Sequence, residues 1–207
     1  MNQIIDILIK VGAILPNDHF VGTSGRHLEA YINKDALFPH TAETAEVGKL
    51  FAEKFKDFDI DVVAAPAMGG IILSQWTAHH LSNLKGKEIL GVYAEKKDGD
   101  LVFTRGYDKF LHGANVLVIE DLCTTGGSLK KVIDSAKNCG ANVVAASVMV
   151  NRDPQQVTEA VFGVPFYPLA EYETSSYSAD ECPMCKNGVP INVKVGHGKK
   201  FVEAMAK

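Results

Sequence analysis

The stretch VLVIEDLCTTGGS, residues 116–128, passes from four apolar residues through two adjacent carboxylates into a Thr-Thr-Gly-Gly-Ser turn, and GGSLKKVIDSAKNCG (126–140) continues it with helical spacing. A strand that ends in glycines and opens a helix is a local anion seat. Gly126 and Gly127 let the backbone turn tightly and approach a ligand, and the helix aims unpaired N–H groups and its positive end at the same point. Thr124, Thr125 and Ser128 add hydroxyl donors, which completes a pocket for one phosphate. Glu120 and Asp121, one step earlier, would repel that phosphate but accept hydrogen bonds from sugar hydroxyls, directly or through Mg²⁺. A phosphorylated sugar meets both demands. A lone Gly-Gly does no more than start a helix; the acidic pair, two threonines and Gly-Gly-Ser together are far more specific.

Outward from this stretch the chain alternates. DVVAAP (61–66), EILGVYA (88–94), NVLVIED (115–121) and ANVVAASVMVN (141–151) read as strands, and GGIILSQWTAHHL (69–81) as a helix between them. Strands separated by helices predict an α/β fold, a mostly parallel sheet flanked by helices, whose ligands bind at the carboxyl ends of the strands. Ahead of it lie a helix over 2–12, ended by Gly12, a glycine-punctuated segment of loop and edge strand that forms a small hood, and a helix after Thr41. Residues 95–113, EKKDGDLVFTRGYDKFLHG, are long, charged and poor in core residues, the pattern expected of a mobile lid. The organisation predicted is one unit over 1–172, with a tail over 173–207 packed on it.

Composition narrows the function. The 207 residues carry 21 Lys plus Arg against 25 Asp plus Glu, a formal charge of −4. That balance disfavours a broad grip on nucleic acid, which needs a basic face. The longest apolar runs, such as 141–150, are half the ~20 residues that cross a bilayer, and the N-terminus has no cationic signal-type region. A cytoplasmic protein is expected, with its four cysteines reduced.

The 116–128 segment closely resembles the phosphoribosyl-diphosphate signature of type I phosphoribosyltransferases, and the resemblance covers most of residues 1–172. It implies that Glu120 and Asp121 hold ribose hydroxyls, with Mg²⁺ bound mainly through the ligand nearby, and that Thr124, Thr125, Gly126, Gly127 and Ser128 hold the 5′-phosphate. PAMGGI (66–71) is similar to the family's diphosphate loop, which nominates Ala67, Met68, Gly69 and Gly70. Within the family the order of elements most resembles the orotate phosphoribosyltransferases. TSGRHLEAYIN (23–33) is similar to their N-terminal Ser-Gly-Arg/Lys motif and VMVNRDP (148–154) to their strand ending in an arginine, which nominates Tyr31, Ile32 and Arg152 around the base.

The activity so implied is transfer of a phosphoribosyl group from phosphoribosyl diphosphate to a nucleobase, with orotate as the expected acceptor. A purine transferase and a noncatalytic phosphoribosyl-diphosphate-binding regulator are the alternatives. Lys96, Lys97 and Arg105 would offset charge on the departing diphosphate, Lys96 and Lys97 joining Glu120 and Asp121 as the catalytic set. In the family the lid covers the neighbouring subunit's site, so a homodimer is implied. The chain departs from the orotate pattern at Thr23 and Gly69, where lysines are usual, and in a less basic lid.

Cys182-Pro-Met-Cys185-Lys-Asn-Gly188 has the form of a zinc-ribbon knuckle. A tetrahedral site needs four ligands, no second Cys-x-x-Cys exists, and the seven histidines show no metal-type spacing. Zinc at Cys182 and Cys185 would therefore need His197 with another residue, or a second copy of the pair across a dimer. A reduced structural turn or a redox pair are the alternatives.

Overall fold

A computed structural model describes residues 2–22 and 25–205. Thr23 and Ser24, which open the Ser-Gly-Arg segment, lie outside the described residues. The chain begins with α1 (Gln3–Lys10), capped by the Asn2 side chain accepting from the Ile4 N–H at 2.9 Å and ended at Gly12, whose φ is +69°. Four two-residue strands follow: β1 (Ile14–Leu15), β2 (Phe20–Val21), β3 (His27–Leu28) and β4 (Tyr31–Ile32). After them come α2 (Thr41–Lys54), which starts at Thr41 itself, β5 (Val62–Pro66) and α3 (Gly69–Lys85). Then come β6 (Leu90–Lys97), β7 (Asp100–Val102), β8 (Asn115–Cys123), α4 (Gly127–Asn138) and β9 (Asn142–Asn151). The chain closes with α5 (Glu159–Phe162), β10 (Ala170–Glu171), β11 (Ser176–Tyr177), α6 (Pro183–Lys186) and α7 (Gly198–Met205).

The main sheet has six strands in the order β10-β9-β8-β5-β6-β7, and every pairing is parallel except that of β7 with β6. Strand residues alternate between two cores, as parallel sheets covered on both faces require. Val63, Ala65, Leu117 and Ile119 face α1, α2 and α3 with Leu8, Phe51 and Leu73. Val62, Ala64, Val116 and Val118 face α4 with Leu129, Val132 and Ile133. The α/β sheet predicted from the strand and helix pattern is the one observed, with strand ends shifted by two or three residues. No helix among the described residues is long and apolar enough to cross a membrane.

The segment expected as a lid, residues 95–113, has regular structure: β6 runs on to Lys97, turns back as β7, and a 3₁₀ turn follows at Tyr107–Phe110. The hairpin has a residue to bury, Phe103, and its tip is held by Lys131 on α4, which donates to the Gly99 carbonyl and pairs with Asp100. The tail also joins the hood: β11 pairs with β3, which pairs with β2, in a separate three-stranded sheet.

The close approach of α2 to α3 depends on Gly48, where an added Cβ would overlap the Trp76 Cβ and stand 2.9 Å from its carbonyl carbon. Gly48→Ala should therefore destabilise the chain by ~1 to 3 kcal/mol as the helices part. Chemical denaturation measures this, and an unchanged midpoint would show that the pair can slide apart freely.

Candidate active site

The sheet order places a switch point between β5 and β8: from β5 the chain crosses to β6 on one side, and β8 lies on the other. Open α/β sheets form their ligand crevice at such a point, outside the carboxyl ends of the strands. Both candidate loops are there. β5 ends at Pro66 and leads through Ala67 and Met68 into α3, while β8 carries Glu120 and Asp121 and leads through Thr124 and Thr125 into α4. The Ala67–Met68 peptide is cis, and the Met68 side chain is exposed.

Neither α3 nor α4 has a side-chain N-cap or an acid in its first turn. Apart from the Leu129 N–H, which faces Glu120, their leading N–H groups are thus left for another acceptor. In the turn before α4, the two glycines serve different ends. Gly126 adopts φ +79° and a Cβ there would meet Phe162 at 3.0 Å, so its glycine is required by the fold. Gly127 has only the Thr125 hydroxyl, 3.7 Å away, near an added Cβ, so nothing in the chain itself demands a glycine. Thr124, Thr125, Gly127 and Ser128 are exposed around this seat.

The acidic pair is divided in its surroundings. Asp121 is buried, accepts the Leu122 N–H at 2.6 Å and pairs with Lys34 Nζ at 2.9 Å. Burial alone would depress Lys34, but the Asp121 carboxylate, with Asp35, outweighs it and holds the ammonium above its ordinary range. Gly69 closes over this pair: a Cβ there would overlap the Asp121 carboxylate and lie 2.9 Å from Lys34 Nζ. Glu120, half-buried, is pushed up to about 8 by desolvation and by the neighbouring Asp121 charge, against the weaker pull of Lys34 and the Leu129 N–H. Glu120 therefore holds its proton near neutral pH in the ligand-free chain. Cys123 is buried and pushed up to about 12 by desolvation and by Glu120, so it packs and does not act as a nucleophile.

A cleft of about 700 Å³ joins the phosphate turn to the end of β9, with Thr124, Arg152, Thr174 and Arg26 among its walls. The Arg152 guanidinium donates to Thr174 Oγ1 at 3.1 Å, and its buried Nε has no partner. Burial lowers its pKa, opposed by Tyr31 nearby. Among the described residues Arg152 is thus a half-buried cation that forms no ion pair with a carboxylate.

The other nominated residues differ in their surroundings. Tyr31, close enough to Arg152 to act on it electrostatically, packs on Phe20, ring centroids 5.6 Å apart. Ile32 is 4% exposed and belongs to the main core beside Ile4 and Leu8, because its strand pairs with β1 and turns it inward. It does not line the cleft. Arg105 is held by Glu95, Nη2 to Oε1 at 2.8 Å. Lys96 and Lys97 stand exposed on the β6–β7 hairpin and make no ion pair with the site among the described residues.

Two cations were missed by the sequence reading. Lys34 sits in a 3₁₀ turn, Lys34–Ala36, with nothing in its neighbours to mark it. Arg26 stood inside the quoted Ser-Gly-Arg motif and is fixed by Ser176 of the tail, Nε to Oγ at 3.0 Å and Nη2 to the carbonyl at 2.6 Å. The motif was the available signal.

Residues 33–167 match the family described as phosphoribosyl transferase domain. The chain is 34% identical over 197 residues to the orotate phosphoribosyltransferase of Caldanaerobacter subterraneus subsp. tengcongensis, covering 95% of this chain and 97% of that protein. It is 36% identical over 199 residues to that of Thermotoga maritima, covering 96% and 100%. The solved orotate phosphoribosyltransferase of Aeropyrum pernix is similar with a TM-score of 0.63 at 26% identity, over 80% of this chain and 92% of that one. The Mycobacterium tuberculosis enzyme in complex with 5-phospho-α-D-ribosyl 1-diphosphate matches with a TM-score of 0.64 at 20% identity, over 82% and 94%, a likeness of fold.

The two glycines separate binding from folding. Gly127→Val should leave the melting temperature near that of the parent yet weaken ribose 5-phosphate roughly tenfold or more, by ~1.4 kcal/mol at least, because a branched side chain would stand where an anion must approach. Gly126→Val should instead lose ~1 to 3 kcal/mol of stability through strain and overlap with Phe162. Calorimetry of binding and thermal melts distinguish the two, and unchanged affinity in Gly127→Val would remove the turn from the site.

Glu120 gives a pH signature. With its pKa raised from 4.5 to about 8 in the fold, the native chain binds more protons here than the unfolded chain between those values. Stability contributed at Glu120 is therefore fully present below pH 4.5 and is lost as pH rises through about 8. In ligand-free protein the melting temperature of Glu120→Gln minus that of the parent should rise across this window. A difference that stays flat would show Glu120 ionising as an ordinary surface acid.

Proposed function

We propose that this chain, which belongs to the phosphoribosyltransferase family, transfers the 5-phosphoribosyl group of phosphoribosyl diphosphate to orotate, giving a nucleoside 5′-monophosphate and diphosphate. One observation carries the reading: a seat for a phosphate, at Thr124, and a half-buried guanidinium, Arg152, that pairs with no acid among the described residues line a single cleft. Its volume of about 700 Å³ suits a substrate with an anion at each end. Orotate is a flat base with a carboxylate, which a guanidinium can grip bidentately.

Bottom-up, the roles divide by charge. The 5′-phosphate rests on the turn Thr124–Ser128 and the start of α4, and the diphosphate meets Ala67, Met68, Gly69 and Gly70 at the start of α3. Glu120 and Asp121 accept hydrogen bonds from the ribose hydroxyls between those two seats. As the bond from C1 to diphosphate breaks, the sugar becomes oxocarbenium-like, and the anionic pair stabilises it while fixed backbone donors hold the leaving group without reorganising. Lys34 pairs with Asp121 and orients its carboxylate. Mg²⁺ fits this site, because Glu120 and Asp121 offer hard carboxylate oxygens and the raised Glu120 gains from a cation beside it; bound with diphosphate, it offsets charge on the leaving group.

Residues 1–172 form the catalytic unit and 173–207 complete its hood. The exposed Lys96 and Lys97 serve the cleft of a second copy, as in a homodimer, where they face the departing diphosphate and help exclude water.

The acceptor is tested at Arg152. Arg152→Ala removes a charge-assisted contact worth ~1.5 to 3 kcal/mol, so kcat/KM for orotate should fall roughly 10- to 150-fold. Uracil lacks the carboxylate, and any turnover of it should fall far less. Measuring nucleotide formation with each base decides the matter: equal losses, or activity with purines alone, would exclude orotate.

A further inference from the structure

Within the hood and its tail, four side chains converge that are not in the cleft lining and that the reaction does not use: His19, His27, Cys182 and Cys185. We propose that they bind one zinc ion in a tetrahedral site that fastens the C-terminal tail to the hood. Their candidate ligand atoms all lie within 4.8 Å of one another. His19 precedes β2, His27 opens β3, and the cysteines flank and enter α6, so residues 155 or more apart in the chain are brought to one point. His19, His27 and Cys182 are 1%, 0% and 0% exposed, and Cys185 closes the cluster from the solvent side. His197, the histidine expected from the sequence, is not among them; its N–H is engaged with the Val21 carbonyl at 2.8 Å.

The distances fit one ion. Zn–N near 2.0–2.1 Å and Zn–S near 2.3 Å place tetrahedral ligand atoms roughly 3.3 to 3.8 Å apart. Cys182 Sγ and Cys185 Sγ lie 3.7 and 3.8 Å from His19 Nε2, and Cys185 Sγ lies 3.3 Å from His27 Nδ1. His19 Nε2 and His27 Nδ1 are closer, at 2.7 Å, and would part by roughly half an ångström to admit the metal. His19 Nδ1 meets the Val189 carbonyl at 2.8 Å. That contact fixes the proton on Nδ1 and turns the Nε2 lone pair into the cluster, as in metal-bound histidines. Two thiolates with two neutral imidazoles cancel the charge of a divalent ion, and binding releases the two thiol protons. The sulfur and imidazole set selects zinc over the hard Mg²⁺ of the cleft.

The site also answers a mechanical need. β2, β3 and β11 are two residues long each, too short to hold a three-stranded sheet by their own pairing. Ligands beside β2, in β3 and beyond β11 tie all three together. His27 adjoins Arg26, which reaches the cleft and is itself held by Ser176. The metal therefore positions the Arg26 turn; only this consequence rests on the function proposed above.

The test uses the full chain, zinc sulfate and cobalt chloride. After reconstitution and gel filtration, the parent should hold about one zinc per chain by elemental mass spectrometry. The cobalt form should show tetrahedral ligand-field absorption with a thiolate-to-cobalt band. Cys185→Ser, at the solvent-facing position, should keep its circular dichroism and retain zinc roughly tenfold or more less tightly against a chelating dye. Chelation should lower the melting temperature of the parent and not of the variant. A folded parent holding under roughly one-tenth of an equivalent, equal retention by parent and variant, or a Cys182–Cys185 disulfide in protein purified without oxidant would overturn the proposal. Should the variant not fold, the parent's zinc content and cobalt spectrum decide alone. None of these readouts depends on the acceptor base, so the metal site and the transferase reading can fail separately.

Discussion

The Asp121 carboxylate is the point on which the site is built. It accepts from the Leu122 N–H on its own strand, pairs with Lys34 arriving from the hood, and lies under Gly69 where α3 begins. Three parts of the chain thus meet at one buried charge. Such a charge is tolerated only when paired and hydrogen-bonded, so hood, diphosphate loop and acidic pair hold one another in place. Gly69 follows from this contact. Any side chain there would put its Cβ in the space the Asp121 carboxylate fills, and Lys34 already brings an ammonium to the same spot.

Glu120, beside Asp121, is pushed up to about 8, first by desolvation and then by the Asp121 charge, with Lys34 pulling only weakly the other way. The proton it holds near neutral pH would leave if a cation came to lie beside it. The starts of α3 and α4, which have no side-chain caps, follow the two strands that meet at the switch point.

The hood is built differently from the sheet it covers. Its strands are only two residues long and gain stability from contacts distant in sequence: Ser176 on Arg26, Tyr177 on Glu29 and Asn192 on Asp18. The tail beyond residue 172 is thus part of the wall of the cleft.

Local patterns in the sequence determined the sheet and the phosphate turn. Runs such as VVAAP and VLVIE are continuous enough in apolar residues to be strands buried on both faces, and Thr-Thr-Gly-Gly-Ser owes its chemistry to backbone freedom that resides in the residues themselves. The tertiary structure alone decided what depends on distant partners. Ile32 became core because pairing with β1 turned it inward, Lys34 became part of the site because the hood folds onto Asp121, and the charged 95–113 segment takes the form of a hairpin whose tip meets Lys131 on α4. The histidines beside Cys182 and Cys185 were invisible for the same reason. A spacing of eight between His19 and His27 means nothing along a helix or strand, and acquires meaning only when antiparallel pairing of β2 with β3 sets the two rings side by side and the tail carries the thiols onto them.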